Sequence, residues 1–412
     1  MGESAVGIDD LNVDGSTLAV EFSAIAAARG LSQKELGAVE FVRRSVTPPY
    51  EDPVTLAVNA ARPLVDAAGR DCFELLIVAS ESSVDYGKPL SAYVHRHLGL
   101  DARCRNLEVK HACYGGTAAI QLAAGWVRSG EAPGKKALVV MTDLARRHFC
   151  DPAELTAGSG AVAVVVAAEP RILEIEPGSG YASREVYDVA RPTATDEWGD
   201  AVLSLAAYLD LAETTWASYR QATRTAVAVD ERFRYLLYHT PLVSLVQQAH
   251  GLLLEADHDD VTPYAIRSSF DRMVRPALGY ARELANIYSG SVYCVLAGLL
   301  DGAVDLAPGT RIGIFSYGSG SCAELYGGRI AEHACPTVAR QRIAEHLANR
   351  VTVDVDRYEW LVREGERMLV ARDYEPPGDF VPGHVARSGA GQERLVLSRI
   401  ENYHRSYAWS NG

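Results

Sequence analysis

Residues 108–128, EVKHACYGGTAAIQLAAGWVR, decide how this chain is read. The stretch closes an extended run that starts near Arg103, turns at a single cysteine and continues as an apolar helix. Gly115 and Gly116 supply backbone freedom where the direction changes. From Thr117 onward, Ile120, Ala123, Ala124 and Val127 recur at helical spacing. Cys113 therefore stands at or just before a helix N-terminus, where unpaired amide donors and the helix dipole favour negative charge. A thiol placed there sheds its proton more readily, and the thiolate is the attacking form. A small buried core side chain is the competing reading, and on this stretch alone the two stand level.

Composition bounds the class. The chain has 412 residues, too many for one small core, so two domains or two halves are expected. Its net charge of −13 argues against a nucleic-acid partner, which needs clustered Lys and Arg. Seven cysteines (Cys72, Cys104, Cys113, Cys150, Cys294, Cys322, Cys335) form no CxxC pair, which fits reduced thiols better than a disulfide framework or a zinc site. The first ten residues are acidic and lack an apolar core, and no apolar run approaches membrane-spanning length. The expectation is a soluble, cytoplasmic protein with no membrane partner.

Outward from the opening stretch, strands and helices alternate. Asp52-Pro53 starts a helix carrying Leu56, Ala60, Leu64 and Val65 on one face. Leu75 to Ser80 reads as a buried parallel strand that empties into the polar loop Glu81–Asp85, at a strand end where α/β proteins bind ligands. Leu90 to Leu98 is another helix, on which His95 and His97 look solvated. Ala137 to Met141 and Ala161 to Ala168 are further strands, giving an α/β domain over 1–169. Residues 170–230 differ, with Tyr181, Tyr187, Trp198, Tyr208, Trp216 and Tyr219 among polar residues. An insertion over the site, as a lid or tunnel wall, and a helical decoration with its own small core are equally good readings.

The remainder, 170–412, repeats the first half. Asn286-Ile287-Tyr288-Ser289-Gly290-Ser291 feeds an apolar helix as Cys113-Tyr114-Gly115-Gly116-Thr117 does, and Ile312 to Gly327 echoes Ala137 to Ala168. Such self-similarity implies a duplicated unit that brings Cys113 and Asn286 together, each at a helix start. From Pro336 onward, peripheral helices and a final strand at Arg394 to Ser398 are expected, and Asp257 to Asp260 is read as a solvated loop.

Cys113 needs partners. His239 follows the run RFRYLLY and precedes Thr240-Pro241, so it projects from a strand end, where it can polarise a carbonyl or pass a proton. A histidine satisfied in a turn is an equal alternative. Glu81 has the same kind of position, and a partly desolvated carboxylate there can abstract a proton; a capping or surface role is its plainer reading. Asn286 and the turn SYGSGS, with Gly318 and Ser319, can present amides to a thioester oxygen, although glycine turns alone are weak signals.

Taken in order, LLIVASES, EVKHACYGGTAAIQLA, YHTP, NIYSGSVY and FSYGSGS resemble the 3-hydroxy-3-methylglutaryl (HMG) synthase family, and the resemblance runs from Val6-Gly7-Ile8-Asp9 to LSRIENYHRSY. It implies the thiolase fold, two pseudo-symmetric α/β halves in a layered αβαβα core, usually as a homodimer. It also implies roles. Cys113 matches the nucleophile that accepts an acetyl group, Glu81 the acid/base that deprotonates the acetyl methyl, and His239 the residue that polarises the second substrate's ketone. Asn286, Gly318 and Ser319 match the thioester and oxyanion region. No metal or redox cofactor is implied.

The family has two branches, one making HMG-CoA from CoA thioesters and one adding β-branches to polyketides on acyl carrier proteins. EVYDVARPTATDEWGDAVLSLAAYLD (185–210) resembles the polyketide branch, as does Arg147 where the other branch favours an aromatic residue. Donor and acceptor acyl carrier proteins are then the expected partners, with Arg146, Arg147, Lys88, Arg43 and Arg44 as candidate contacts. The alternatives are a mevalonate-type HMG-CoA synthase and an initiating ketoacyl synthase. The latter would not need Glu81, and a non-catalytic homologue would need neither Glu81 nor Cys113.

Overall fold

Nine strands form the central sheet of the computed structural model, which describes residues 5–144, 149, 152–303, 306–377 and 393–410. They are β1 (Val6–Asp14), β2 (Phe73–Ala79), β3 (Arg105–Val109), β4 (Lys136–Leu144), β5 (Ser159–Ala168), β6 (Leu173–Ser183), β7 (Tyr235–Tyr238), β8 (Arg311–Gly318) and β9 (Cys322–Ile330). Their order across the sheet is β7-β8-β9-β6-β1-β5-β4-β2-β3. Outward from the middle, β1 runs antiparallel to β5, β5 antiparallel to β4, and β4 parallel to β2. On the other side β6 runs antiparallel to β9, β9 antiparallel to β8, and β8 parallel to β7. The two series have the same senses, so the sheet is one strand pattern used twice. The halves meet at a short seam where Gly7 pairs with Glu174 and Ile8 with Leu173. The first half adds β3, parallel to β2, at its outer edge.

Six helices make the layers: α1 (Pro53–Ala68), α2 (Leu90–Leu98), α3 (Gly115–Ser129), α4 (Ala201–Thr223), α5 (Val243–Glu255) and α6 (Ser291–Gly302). Alternation along the strands decides which layer each side chain meets. Ile77, Ala79, Val139 and Met141 share a core with Ile120 and Ala123 of α3 and Val295 and Leu296 of α6. Leu76, Val78, Leu138 and Val140 face the other way, onto α1 and α2. On the second half α4 lies along β6 and β9, with α5 beside it. The result is the layered thiolase fold. Local signals start α1 where expected: Asp52 accepts from the amides of Val54 and Thr55, Thr55 Oγ1 accepts from the Asp52 amide, and Pro53 occupies the first turn without losing a helical donor.

The stretch expected as an insertion at about 170–230 divides differently. Leu173–Ser183 is β6, beside the seam, and 201–223 is α4; both are core elements, and it is residues from 188 to 200 together with the first turns of α4 that line the site. The strand lacks an apolar run because its middle must be small. A Cβ at Gly180 would stand 2.0 Å from the Thr215 carbonyl oxygen, so α4 lies directly on this strand. Asp257 is likewise no solvated residue. It is buried and accepts from Trp216 Nε1 (3.0 Å), Arg220 (2.8 Å) and the Val229 amide (2.7 Å). His95 Nε2 sits 3.0 Å from the Asp101 carbonyl oxygen, and the His97 ring packs edge-on against Tyr407, so neither is simply solvated.

The single final strand expected is a hairpin, β10 (Leu395–Glu401) and β11 (His404–Trp409), and it packs on the first half. Asn59 of α1 donates to the Leu395 carbonyl (3.1 Å) and accepts from its amide (2.8 Å). Arg394 is buried 2.9 Å from Asp14 and 3.2 Å from Glu51. Burial works against the Asp14 charge, but Arg394 and His346 hold its carboxyl well below the usual range. Arg394→Met leaves two buried carboxylates without their cation, and is expected to cost about 3–5 kcal/mol at neutral pH in denaturant unfolding. In the wild type the depressed Asp14 pKa makes the clamp's stability fully present above the ordinary carboxylate range, and lost as pH falls below it. The deficit of the variant should therefore shrink on acidification. An unchanged midpoint at neutral pH would exclude the clamp.

Candidate active site

Strand ends and helix starts from both halves converge on a cavity of about 400 Å3 lined by Glu81, Cys113, His239, Asn286 and Ser319. The duplication explains the convergence. Glu81 lies just past β2 and His239 just past its counterpart β7, while Cys113 precedes α3 and Asn286 precedes α6. Both helix starts are bent through left-handed backbone at residues with side chains, Ala112 (φ +42°) on one side and Ala285 (+63°) and Tyr288 (+50°) on the other. Such residues are sparsely populated there and persist where the surroundings fix them.

Glycine lets the two turns cross closely. A Cβ at Gly116 would stand 2.3 Å from the Ser289 carbonyl oxygen, and one at Gly318 would stand 2.6 Å from the Tyr114 amide nitrogen. Two turns of the second half thus pack directly on the start of α3. Gly318, expected in the oxyanion region, is not among the residues lining the cavity; the structure gives it this close approach instead.

The Cys113 thiol faces Glu81, with Sγ donating to Oε1 at 3.9 Å, so a carboxylate stands ready to receive its proton. His239 is buried, its amide donates to the Phe315 carbonyl (2.8 Å), and its own carbonyl accepts from Tyr208 (2.7 Å). Those bonds fix the backbone at His239, while ring Nδ1 finds no hydrogen-bond partner among the described residues. Burial pushes the imidazole pKa down to about 3, so at neutral pH it is uncharged, with one N–H to donate and one nitrogen to accept. Asn286 Oδ1 accepts from the Tyr288 amide (2.9 Å) and Ser291 Oγ (2.7 Å), which leaves the NH2 as the end of the amide free of those two donors. Tyr317, beside Ser319, donates to Asp188 at 3.1 Å.

Sequence reasoning passed over Asp143, at the end of β4. This buried carboxylate accepts from the Glu81 amide (2.9 Å), Ser80 Oγ (3.2 Å) and Ser82 Oγ (3.0 Å) through one oxygen, and from the Ser289 amide (3.1 Å) and Ser289 Oγ (2.5 Å) through the other. Burial raises its pKa against the pull of those donors. It ties the loop carrying Glu81 to the turn after Asn286. Arg191, Glu197 and Tyr288 were also missed; they sit around the same loop.

The basic residues expected at a docking surface separate. Arg146 and Arg147 lie outside the described residues. Lys88 lines a neighbouring cavity of about 300 Å3 that shares Glu81 with the first, its ammonium 3.6 Å from the centre of the Tyr93 ring. Arg43 pairs with Glu283 at 2.8 Å. Arg44 is buried against the Tyr358 ring and the Glu154 carbonyl, so it serves the fold rather than a partner. Among the described residues no group of three or more His, Cys, Asp or Glu is placed to hold a metal ion.

Comparison with known proteins gives the family. Residues 5–170 match the family model for the hydroxymethylglutaryl-coenzyme A synthase N-terminal region, and residues 258–408 the model for its C-terminal region. The polyketide biosynthesis 3-hydroxy-3-methylglutaryl-ACP synthase PksG of Bacillus subtilis is 37% identical, over 98% of this chain and 99% of its own length. The crystal structure of the curacin biosynthetic pathway HMG synthase in complex with acetyl donor-ACP superposes with a TM-score of 0.92 at 37% identity, covering 98% of this chain and all of that one (100%). MvaS in complex with 3-hydroxy-3-methylglutaryl coenzyme A superposes with a TM-score of 0.88 at 31% identity, covering 98% and 99%. The chain belongs to the hydroxymethylglutaryl-coenzyme A synthase family.

Proposed function

We propose that this chain is the carrier-protein type of HMG synthase, adding a two-carbon β-branch to a polyketide held on an acyl carrier protein. The observation that carries the chemistry is the meeting of Cys113, Glu81 and His239 in one cavity. The observation that favours the carrier-protein branch is the higher identity to the polyketide synthases than to the CoA-bound relative.

The steps follow from the geometry. Cys113 gives its proton toward Glu81 and attacks the carbonyl carbon of an acetyl thioester; the donor thiol leaves with a proton, and Cys113 holds the acetyl group. Glu81, again a carboxylate, removes a methyl proton, and the resulting enolate carbon adds to the acceptor's β-ketone. Oxygen charge develops twice, on the enolate and on the new alkoxide, and uncharged donors aimed at those atoms are the economical means of stabilising it. The neutral His239 ring serves the ketone and the Asn286 amide, with Ser319, the thioester oxygen. Protonated Glu81 returns its proton to the alkoxide. Water then cleaves the Cys113 thioester, leaving a free carboxylate and a regenerated thiol. This chain's residues, thioester substrates and water carry every step. Two similar halves, 1–169 and 170–412, share the work, and 184–200 forms a wall of the cavity.

A cytoplasmic homodimer is the assembly we assign. The edge strand β3 is paired on one side only among the described residues, and Leu107 on it and Leu122 on α3 are exposed apolar side chains. Both offer a second copy an edge and an apolar face.

Incubation with acetyl-carrier protein should add one acetyl group to the intact mass of the wild type and none to Cys113→Ala; an adduct that persists in the variant would remove Cys113 from its role. Glu81→Ala should be acetylated, more slowly, yet condense roughly 10²–10⁴-fold more slowly than the wild type. Normal condensation by that variant rules out Glu81 as the base. Turnover should be faster with acetyl and β-ketoacyl groups on carrier proteins than with acetyl-CoA and acetoacetyl-CoA. Efficient turnover with the CoA substrates alone would overturn the branch assignment in favour of the mevalonate type.

A further inference from the structure

Residues 184–200 carry a buried ion pair that the chemistry above does not use. Arg191, its side chain only 15% exposed, donates from Nη1 to the backbone carbonyl of Glu81 at 2.5 Å. Its other terminal nitrogen pairs with Glu197, which is itself buried and accepts from the Tyr288 hydroxyl at 2.9 Å. The Arg191 guanidinium lies 6.0 Å from the centre of the Tyr288 ring, and the Tyr288 amide bonds Asn286 Oδ1. A continuous string therefore runs from Glu81 through Arg191, Glu197 and Tyr288 to Asn286, joining one half's strand end to the other half's helix start.

Placement and charge give this string a purpose. Arg191 and Glu81 both line the smaller cavity, while Glu81 alone of the two also lines the larger one that holds Cys113, so Arg191 reaches Glu81 from the smaller cavity. Burial opposes the Arg191 charge, but Glu197, Glu81 and Tyr288 hold it protonated. Electrostatic coupling is mutual, so a cation that Glu81 stabilises also stabilises the Glu81 carboxylate. That matters when a thioester fills the cavity and water leaves, because desolvation then favours the protonated acid, which cannot act as a base.

We propose that Arg191 is the positioning residue of Glu81: it fixes the Glu81 backbone beside Cys113 and keeps the carboxylate ionised while the acetyl group is bound. Glu197, buttressed by Tyr288, holds the guanidinium in place and sets how much of its charge Glu81 feels. This rests on the reading of Glu81 as the base.

The test isolates the proton-transfer step. Acetyl-enzyme is formed in deuterated water without an acceptor, and deuterium entering the acetyl methyl is followed by mass across the pH range, normalised to the acetylated fraction. Glu81 takes a methyl proton, exchanges it with solvent and returns deuterium, so no oxidant or second substrate is needed. Arg191→Met should move the acid limb of the exchange profile up by about one pH unit, so exchange below the limb falls about tenfold. Arg191→Lys should leave the limb near its wild-type position with a lower plateau, because an ammonium restores the charge but not the planar fork. Glu197→Gln should move the limb the other way, to lower pH, since Glu81 then feels more of the guanidinium's charge, and this arm stands even where Arg191→Met does not fold. A wild-type profile in Arg191→Met overturns the proposal. So does a profile lowered uniformly with no shifted limb, or a limb that rises or stays put in Glu197→Gln. Wild-type exchange by Glu81→Ala would instead remove the base assignment itself. No exchange in Glu81→Ala beside a normal Arg191→Met would remove the clamp alone.

Discussion

One buried carboxylate holds the site together. Asp143 ends an apolar strand of the first half, yet through its two oxygens it gathers donors from the Glu81 loop and from the turn that follows Asn286. A buried acid in such a place is tolerated only when its lone pairs are filled, and here each oxygen has more than one donor. The cost of burying it is thereby converted into geometry. Neither loop can drift without stranding the acid, so the distance between the proposed base and the opposite helix start is fixed from behind.

The duplication makes this economical. Equivalent strand ends carry Glu81 and His239, and equivalent helix starts carry Cys113 and Asn286, so one architecture supplies two positions twice with different side chains. Divergence of the copies separates their properties. Glu81 faces a thiol, whereas burial pushes the His239 pKa down to about 3 and keeps its ring uncharged at neutral pH. The two glycines that let the turns cross, Gly116 and Gly318, both bring second-half backbone against the start of α3.

Much of this was legible in the chain. A thiol at a helix start, a glutamate and a histidine at strand ends, and two similar small-residue turns all leave local signatures, because each depends on the few residues around it. Asp143 leaves none: VVMTDL reads as a strand end, and its donors come from segments 61 to 146 residues away. Arg191 is hidden for the same reason, since Glu81 is 110 residues distant in sequence. The strand β6 reads in sequence as part of an insertion because close helix packing requires glycine where a strand would ordinarily show an apolar residue. What sequence reading missed is therefore long-range polar satisfaction and backbone-to-backbone contact, neither of which has a periodicity.

The hairpin at the end of the chain bears on how such a molecule is made. Arg394 supplies the cation for Asp14 and Glu51, and Tyr407 and Arg405 bond Asp52, the residue that caps α1. The first half is thus electrostatically incomplete until this hairpin is in place. A first half folded without the hairpin would bury these acids away from their arginines, so the two halves reach their final packing together rather than as independent units.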